Sequence, residues 1–375
     1  MKVKPTERDE VMTDGGNAMF EDAEATDVGP AQQFKEVLYE GVVAPAKIAW
    51  SDWRTKTGIV ILGSFVVIAL LVMSHRNGID ILNTLIGPVS PWELAEPTSS
   101  YGCSGGKGGE CAVGYPNSRQ PFTYWDTPLG TDGSGRDLLS AVIWSTPRML
   151  KMIVAGGVFS IAMATIVGTV AGYKGGTTNT VLMTLTDIGM SIPGLPLVIV
   201  LIAVIDPQSP YVIGTLIVIN VWAGLARTIQ SQVLSVREQS YVEASRTMGV
   251  STPRIIQKDI LPNLMPYIMV NFVYAARRVI YDSVALFFLG FLTFETIANW
   301  GLMMQWARAN GNALTVPEAR YQILVPMVPI VVLSFGLILL SQGTDRLFNP
   351  RVRTRHEGET VEEEGEDEEI QPAMM

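Results

Sequence analysis

Apolar residues in this chain gather into runs long enough to cross a bilayer, separated by short polar stretches. About 20 mainly apolar residues span the hydrocarbon core. Thr57–Ser74 is uncharged and slightly short, and follows Trp50, Trp53, Arg54 and Lys56, an aromatic and basic anchor typical of a membrane interface. A secretory signal fits poorly, because 56 mostly polar residues precede the run and no small-residue cleavage pattern closes it. Met149–Tyr173 is rich in Gly, Ala and Ser, which let neighbouring helices approach closely, and Lys151 near its start can snorkel. Val181–Ile205 carries Asp187 and is interrupted by Pro193 and Pro196; Tyr211–Ile229 holds Arg227 near its end. Pro266–Leu292 contains Arg277, Arg278 and Asp282, and Gln322–Gly343 is the last run. The pattern predicts an all-α membrane protein with six spans.

These runs divide the chain into a tail with its anchor (1–56), a first span (57–74), a long loop (75–148), a five-helix body (149–345) and a second tail (346–375). Basic residues orient it, because Lys and Arg concentrate on the cytoplasmic side. With the N-terminus cytoplasmic, the inner segments 37–56, 174–180, 230–265 and 344–375 carry twelve Lys and Arg. The outer segments 75–148, 206–210 and 293–321 carry five, none and two, and the five lie in a long loop where the rule weakens. Both termini are therefore expected in the cytoplasm.

The formal net charge of −9 is concentrated at the ends. Residues 1–36 hold nine acids and four bases, and residues 351–375 hold nine acids and three bases. The body between has eighteen acids and twenty bases. This excludes a soluble acidic globule and gives no clustered basic surface for nucleic acid. The acid run Glu362–Glu369 is expected to stay solvated. It suits either a high-salt cytoplasm or a regulatory partner.

Metal and catalytic chemistry find little to build on. The chain has two cysteines, Cys103 and Cys111, two histidines, His75 and His356, and no CxxC or HExxH spacing. No metal site and no catalytic residue is expected. Cys103 and Cys111 bracket a Gly-, Ser- and Pro-rich stretch of the outer loop; a disulfide there would close a short loop, and two free thiols are the alternative. The glycines at 105–109 and 130–135 lack the spacing and flanking elements of a phosphate loop and read as turns.

The inner segment Ser235–Pro266 is the most informative. Ser240 and Glu243 fit a capping box, and the helix they open should stop at Gly249 in the left-handed conformation. Ser251 or Thr252 can cap a second helix with Pro253 in its first turn, ending near Asp259. A polar helical hairpin without catalytic groups, held at the inner surface, is a docking element for a partner.

Several blocks resemble the permeases of ATP-driven, binding-protein-dependent importers. Glu243, Ala244, Ser245 and Gly249, then Ile260, Leu261, Pro262 and Asn263, match the family's EAA loop, with Ser245 in place of the usual second alanine. Thr127–Asp132, Gly135-Arg136-Asp137 and Ser140 are similar to the PLGTDxxGRDxxSR block of C-type permeases in dipeptide, oligopeptide and nickel importers, with Ala141 where arginine is usual. Ala171–Gly176, Phe288–Gly290, Asn299–Gly301 and Asp345–Leu347 extend the resemblance over roughly residues 50–355. The resemblance implies that the EAA loop seats in a groove of a cytoplasmic ATPase. It also implies a second related permease, two ATPase subunits that bind ATP and magnesium, a substrate-binding protein outside, and a site in the lipid of the plasma membrane. No cofactor is expected on this chain, which has no Walker A sequence. The implied cargo is peptide, with nickel or sugar as alternatives.

Charges within spans usually face a bundle interior or a cavity. Asp187, Arg277, Arg278 and Asp282 are thus candidates for the translocation path. Internal pairing competes: Arg278 and Asp282 lie one helical turn apart, whereas Arg277 has no evident partner in the sequence. Two other classes fare worse. An intramembrane aspartyl protease on Asp187 and Asp282 would need a GxGD sequence that is missing, and a secondary transporter would show paired internal repeats.

Overall fold

The computed structural model describes residues 52–76, 119–125, 127–133, 135–292, 299–309 and 312–348. Both acidic tails, most of the outer loop and the cysteines Cys103 and Cys111 lie outside the described residues. The described chain is helical, and its one β feature is an isolated bridge between Thr131 and Asp137.

Helix α1 (Trp53–Arg76) covers the first apolar run. Arg54 lies 5.7 Å from the centre of the Trp53 ring, so the anchor's cation and aromatic meet directly. Helix α2 (Leu138–Lys174) starts eleven residues before the apolar run at Met149. At 37 residues it is about 55 Å long, well beyond the roughly 30 Å of a bilayer core. Asp137 caps it, accepting from the Leu139 and Ser140 amides at 3.4 and 2.8 Å. Pro147 sits inside α2 without ending it. Just before this proline, side chains serve the helix carbonyls: Val142 O accepts from Ser145 Oγ, Thr146 Oγ1 and Trp300 Nε1.

The next two spans are both broken. Helices α3 (Gly176–Ser191) and α4 (Gly194–Ile205) meet at 84° across Ile192-Pro193. Pro193 and Pro196 have no N–H to continue the ladder, so this break follows from the sequence. Helices α5 (Pro210–Ile217) and α6 (Val221–Val236) meet at 58° across Val218–Asn220, where the apolar run Tyr211–Ile229 predicts an unbroken span. The inner loop follows with α7 (Ser240–Thr247) and α8 (Thr252–Ile255). Then come α9 (Leu261–Leu289), α10 (Trp300–Ala309) and α11 (Tyr321–Phe348).

Among the described residues three helical segments are long and apolar enough to cross a membrane, or up to five if each bent pair counts as one span. Helix α9 is not among them although its 29 residues are long enough, because Arg277, Arg278 and Asp282 interrupt its apolar character.

A ridge of small residues on α2 organises the core. Gly156, Ser160, Ala164, Gly168 and Gly172 recur every fourth residue, and all are buried. On a helix this spacing forms one nearly continuous stripe. The backbones approach so closely that a Cβ on Gly156 would stand 2.4 Å from Gly214 O, and one on Gly168 would stand 2.6 Å from Ala226 O. Helices α5 and α6 thus pack along one side of α2. Met149, Ile213, Val279, Phe287 and Trp300 fill the main core between these helices and α9, α10 and α11.

Candidate functional site

The inner loop is a small folded unit. Val242, Ile255 and Ile260 point inward and are fully buried with Val233 and Leu264. Each such side chain contributes roughly 1.5–3 kcal/mol through burial. Gly249 has φ +77°, the left-handed conformation expected of it, and ends the turn after α7. The capping box does not form: Gln239 is the N-cap, Ser240 is already helical, and no side-chain cap bond is made. Glu243 instead lies 3.9 Å from Arg246, both largely exposed. Burial and the Asp259 carboxylate raise the Tyr241 hydroxyl above its ordinary value, so it stays neutral at physiological pH.

The second helix also departs from expectation. It does not stop near Asp259. One α turn passes through a π turn, Ile256–Ile260, straight into α9, and the Leu261 amide donates to Ile256 O. Pro262 cannot donate to a carbonyl in the preceding turn, and the widened turn absorbs that loss. Ile260, Leu261, Pro262 and Asn263 therefore form the joint between loop and span. Asn263 Nδ2 donates to Asp259 O at 2.7 Å, bracing that joint. The outward face carries Glu243, Arg246 and Met248, the last 73% exposed although apolar.

Asp187, Arg277, Arg278 and Asp282 each have a protein neighbour. Arg278 Nε donates to Asp282 Oδ2 at 2.7 Å along α9. Arg277, for which the sequence offered no partner, reaches one turn on to Tyr281: its guanidinium lies 3.5 Å from the hydroxyl and 5.7 Å from the ring centre. Asp187 on α3 pairs with Arg227 on α6, with contacts of 2.8 and 3.1 Å. Lys151 lies 5.9 Å from the centre of the Tyr211 ring. Arg278 and Asp282 also line a small cleft with Gly194 and Asn220, where the two broken spans meet α9. Among the described residues no group of His, Cys, Asp and Glu has the arrangement of a metal site.

Residues 164–354, which include the inner loop and its joint with α9, match the family model described as "binding-protein-dependent transport system inner membrane component". The chain belongs to this family. It is 30% identical over 226 residues to the oligopeptide transport system permease protein OppC of Bacillus subtilis, covering 60% of this chain and 72% of that protein. It is 31% identical over 245 residues to the dipeptide transport system permease protein DppC of the same organism, covering 63% and 74%. An OppC of Haemophilus influenzae is 33% identical over 248 residues, covering 62% and 78%.

Outside the matched region, the TPLGTD block gives this permease a structural knot. The Tyr321 hydroxyl lies between Arg119 O and Thr131 O, at 2.9 and 2.8 Å. Gly130 has φ +77°, and a Cβ there would stand 2.6 Å from Arg119 O. Arg136 stacks on Trp306 at 4.7 Å. The block therefore ties the entry of α2 to the first turn of α11 and to α10. Sequence reasoning noticed these residues without finding that use, because the tyrosine lies 190 residues beyond Thr131. It also missed the buried amide of Asn299, whose Nδ2 lies 3.1 Å from Met149 Sδ and whose Oδ1 accepts from the Gly301 amide at 2.6 Å.

Proposed function

We propose that this chain is a permease subunit of an ATP-driven importer for dipeptides or oligopeptides, coupled to separate ATPase subunits through the loop 235–266. The carrying observation is the loop's construction. Its Val242, Ile255 and Ile260 are buried in a cluster shared with α2, α6 and α9; it continues into α9 through a single π turn and presents Glu243, Arg246 and the apolar Met248 outward. Met248 is flexible and polarizable, a side chain suited to fill a groove on a partner as a docking knob. Movement of that knob reaches α9 without crossing a flexible linker. The residues involved are Glu243, Ala244, Ser245 and Gly249 at the docking end and Ile260, Leu261, Pro262 and Asn263 at the joint.

The peptide class rests on the relatives, which are named for oligopeptide and dipeptide transport. In this reading α9 is the fifth of six spans, both termini are cytoplasmic, and the chain is a multi-pass protein of the plasma membrane. Its partners are a second related permease, two ATPase subunits holding ATP and magnesium, and an outer substrate-binding protein. Arg277, Arg278 and Asp282 on α9 and Asp187 on α3 border the path in this reading. Arg278 and Asp282 neutralise one another there, so the cleft beside them offers polarity without an unpaired charge.

Reconstitution of the complete complex in proteoliposomes tests this reading. Labelled di- and oligopeptides are expected to accumulate only with ATP and the binding protein present. Accumulation of nickel or a sugar in place of peptide would overturn the substrate class, and uptake without ATP would overturn the mechanism.

A further inference from the structure

We infer that α3 and α6 move as one rigid strut, and that Asp187 and Arg227 are positioning residues that carry loop movement to the break at Ile192-Pro193. Four polar links join α6 and its ends to α2, α3 and the break. Arg237 Nη1 donates to Gly172 O at 3.0 Å, at the inner end where α2 gives way to α3. Gln230 Nε2 donates to Asn179 Oδ1 at 3.1 Å. Arg227 Nη2 donates to Asp187 Oδ2 at 3.1 Å, and its Nη1 lies 2.8 Å from Oδ1. Asn220 Nδ2 approaches Ile192 O at 3.4 Å, at the outer end of the row.

The donors lie at 220, 227, 230 and 237, separated by seven, three and seven residues. That spacing puts them on one face of a helix. The adjoining face of α6, with Ala226, Ile229 and Val233, is buried, with Ala226 and Val233 against the small residues of α2. Helix α3 has little apolar anchorage of its own: Met183 and Thr186 are its buried residues. Its attachment therefore depends on the polar row. The arginine–carboxylate contact is the strongest of these links, because both partners are charged and one charge-assisted hydrogen bond joins them.

The row ends where the chain bends. Ile192-Pro193 is one break and Val218–Asn220 is the other, and Asn220 touches both. Helix α6 leads directly into the inner loop. A displacement of the loop thus shifts α6 and α3 together and is taken up at the paired breaks, beside the cleft that holds Arg278 and Asp282. This inference rests on the proposed role of the inner loop.

Two measurements on the full complex test it, each normalised to assembled complex that retains its ATPase subunits. In the first, Asp187→Asn and Arg227→Gln each lower peptide moved per ATP hydrolysed about five-fold, and the exchange Asp187→Arg with Arg227→Asp recovers most of it. In the second, Asn179→Cys and Gln230→Cys are joined by a bifunctional thiol reagent in a chain with Cys103 and Cys111 replaced by serine. A strut tolerates this link, so uptake persists above half of the unlinked rate. An unchanged ratio in both single variants, or arrest of uptake by the cross-link, overturns the strut. If the single variants do not assemble, the cross-link alone decides. Loss of the ATPase subunits from the unsubstituted complex would instead defeat the proposed role of the loop.

Discussion

Replacing Gly214 with valine is expected to prevent the chain from accumulating in the membrane. Even one carbon there would stand 2.2 Å from Met152 O, a backbone atom that cannot rotate away. The reciprocal contact, from Gly156 toward Gly214 O, is almost as close. Helices α2 and α5 must then separate along their shared length and give up the packing of Ile213 and Ile217, both nearly fully buried. Overpacking of a tight core costs about 1–3 kcal/mol, and a backbone clash lies at or above the top of that range. In lipid, close packing is itself a main source of helix association, so little else compensates. Membrane yield and thermal aggregation of the solubilised protein measure the effect. Gly63→Val is the control, because a Cβ at that site meets nothing within 4 Å. Wild-type yield for Gly214→Val would refute the close contact.

The second large effect is expected at Ile260. Ile260→Asp places a carboxylate at a fully buried position clustered with Val242, Ile255 and Leu264. The cost is several kcal/mol, enough to disrupt the packing of the loop's own buried side chains. The loop should detach from this cluster while the spans, which also pack around the larger cluster of Met149, Ile213, Phe287 and Trp300, remain inserted. Co-purification of ATPase and ATP-driven uptake should both be lost, with the amount of membrane-inserted chain changed less than two-fold. Ile260→Val, which removes one methylene and costs about 0.5–1.5 kcal/mol, should keep both. Uptake at the normal rate in Ile260→Asp would show that the loop's fold is irrelevant to transport.

Much of this architecture could be read from the apolar runs, because a helix in lipid must satisfy its own backbone and needs a fixed length of apolar chain. The boundaries were less legible. Helix α2 begins at Leu138, ahead of the apolar run, because Asp137 caps it and the Ser145 and Thr146 hydroxyls serve the carbonyls near Pro147. The break at Val218–Asn220 has no proline or glycine to announce it; tertiary contact through Asn220 accompanies it. In the inner loop, glycine chemistry placed the turn at Gly249 correctly, whereas local capping logic failed at Ser240, which lies one position inside the helix. The π turn was hidden because Leu261-Pro262 reads as a helix end when each helix is considered alone.

The charges show the same limit. The Arg278–Asp282 contact follows from spacing along one helix. The Asp187–Arg227 pair joins residues 40 apart, and only two opposite charges in successive apolar runs hinted at it. Tyr321 carries no such hint, since a tyrosine at the start of a span is ordinary at a membrane interface. Its use as a bridge between two loop carbonyls depends on a turn almost 200 residues away, a separation that local patterns do not encode.

The most direct test of the central claim is site-specific cross-linking from the apex of the inner loop. A photoreactive residue at Met248 in the complete complex, in the membrane, should form an adduct with an ATPase subunit. The same residue at Val204, exposed at the end of α4 remote in sequence from the loop, should not. An ATPase adduct is expected from position 248, and Ile260→Asp should abolish it. Efficient labelling at position 248 of lipid or of the binding protein, with no ATPase adduct, would contradict the central claim.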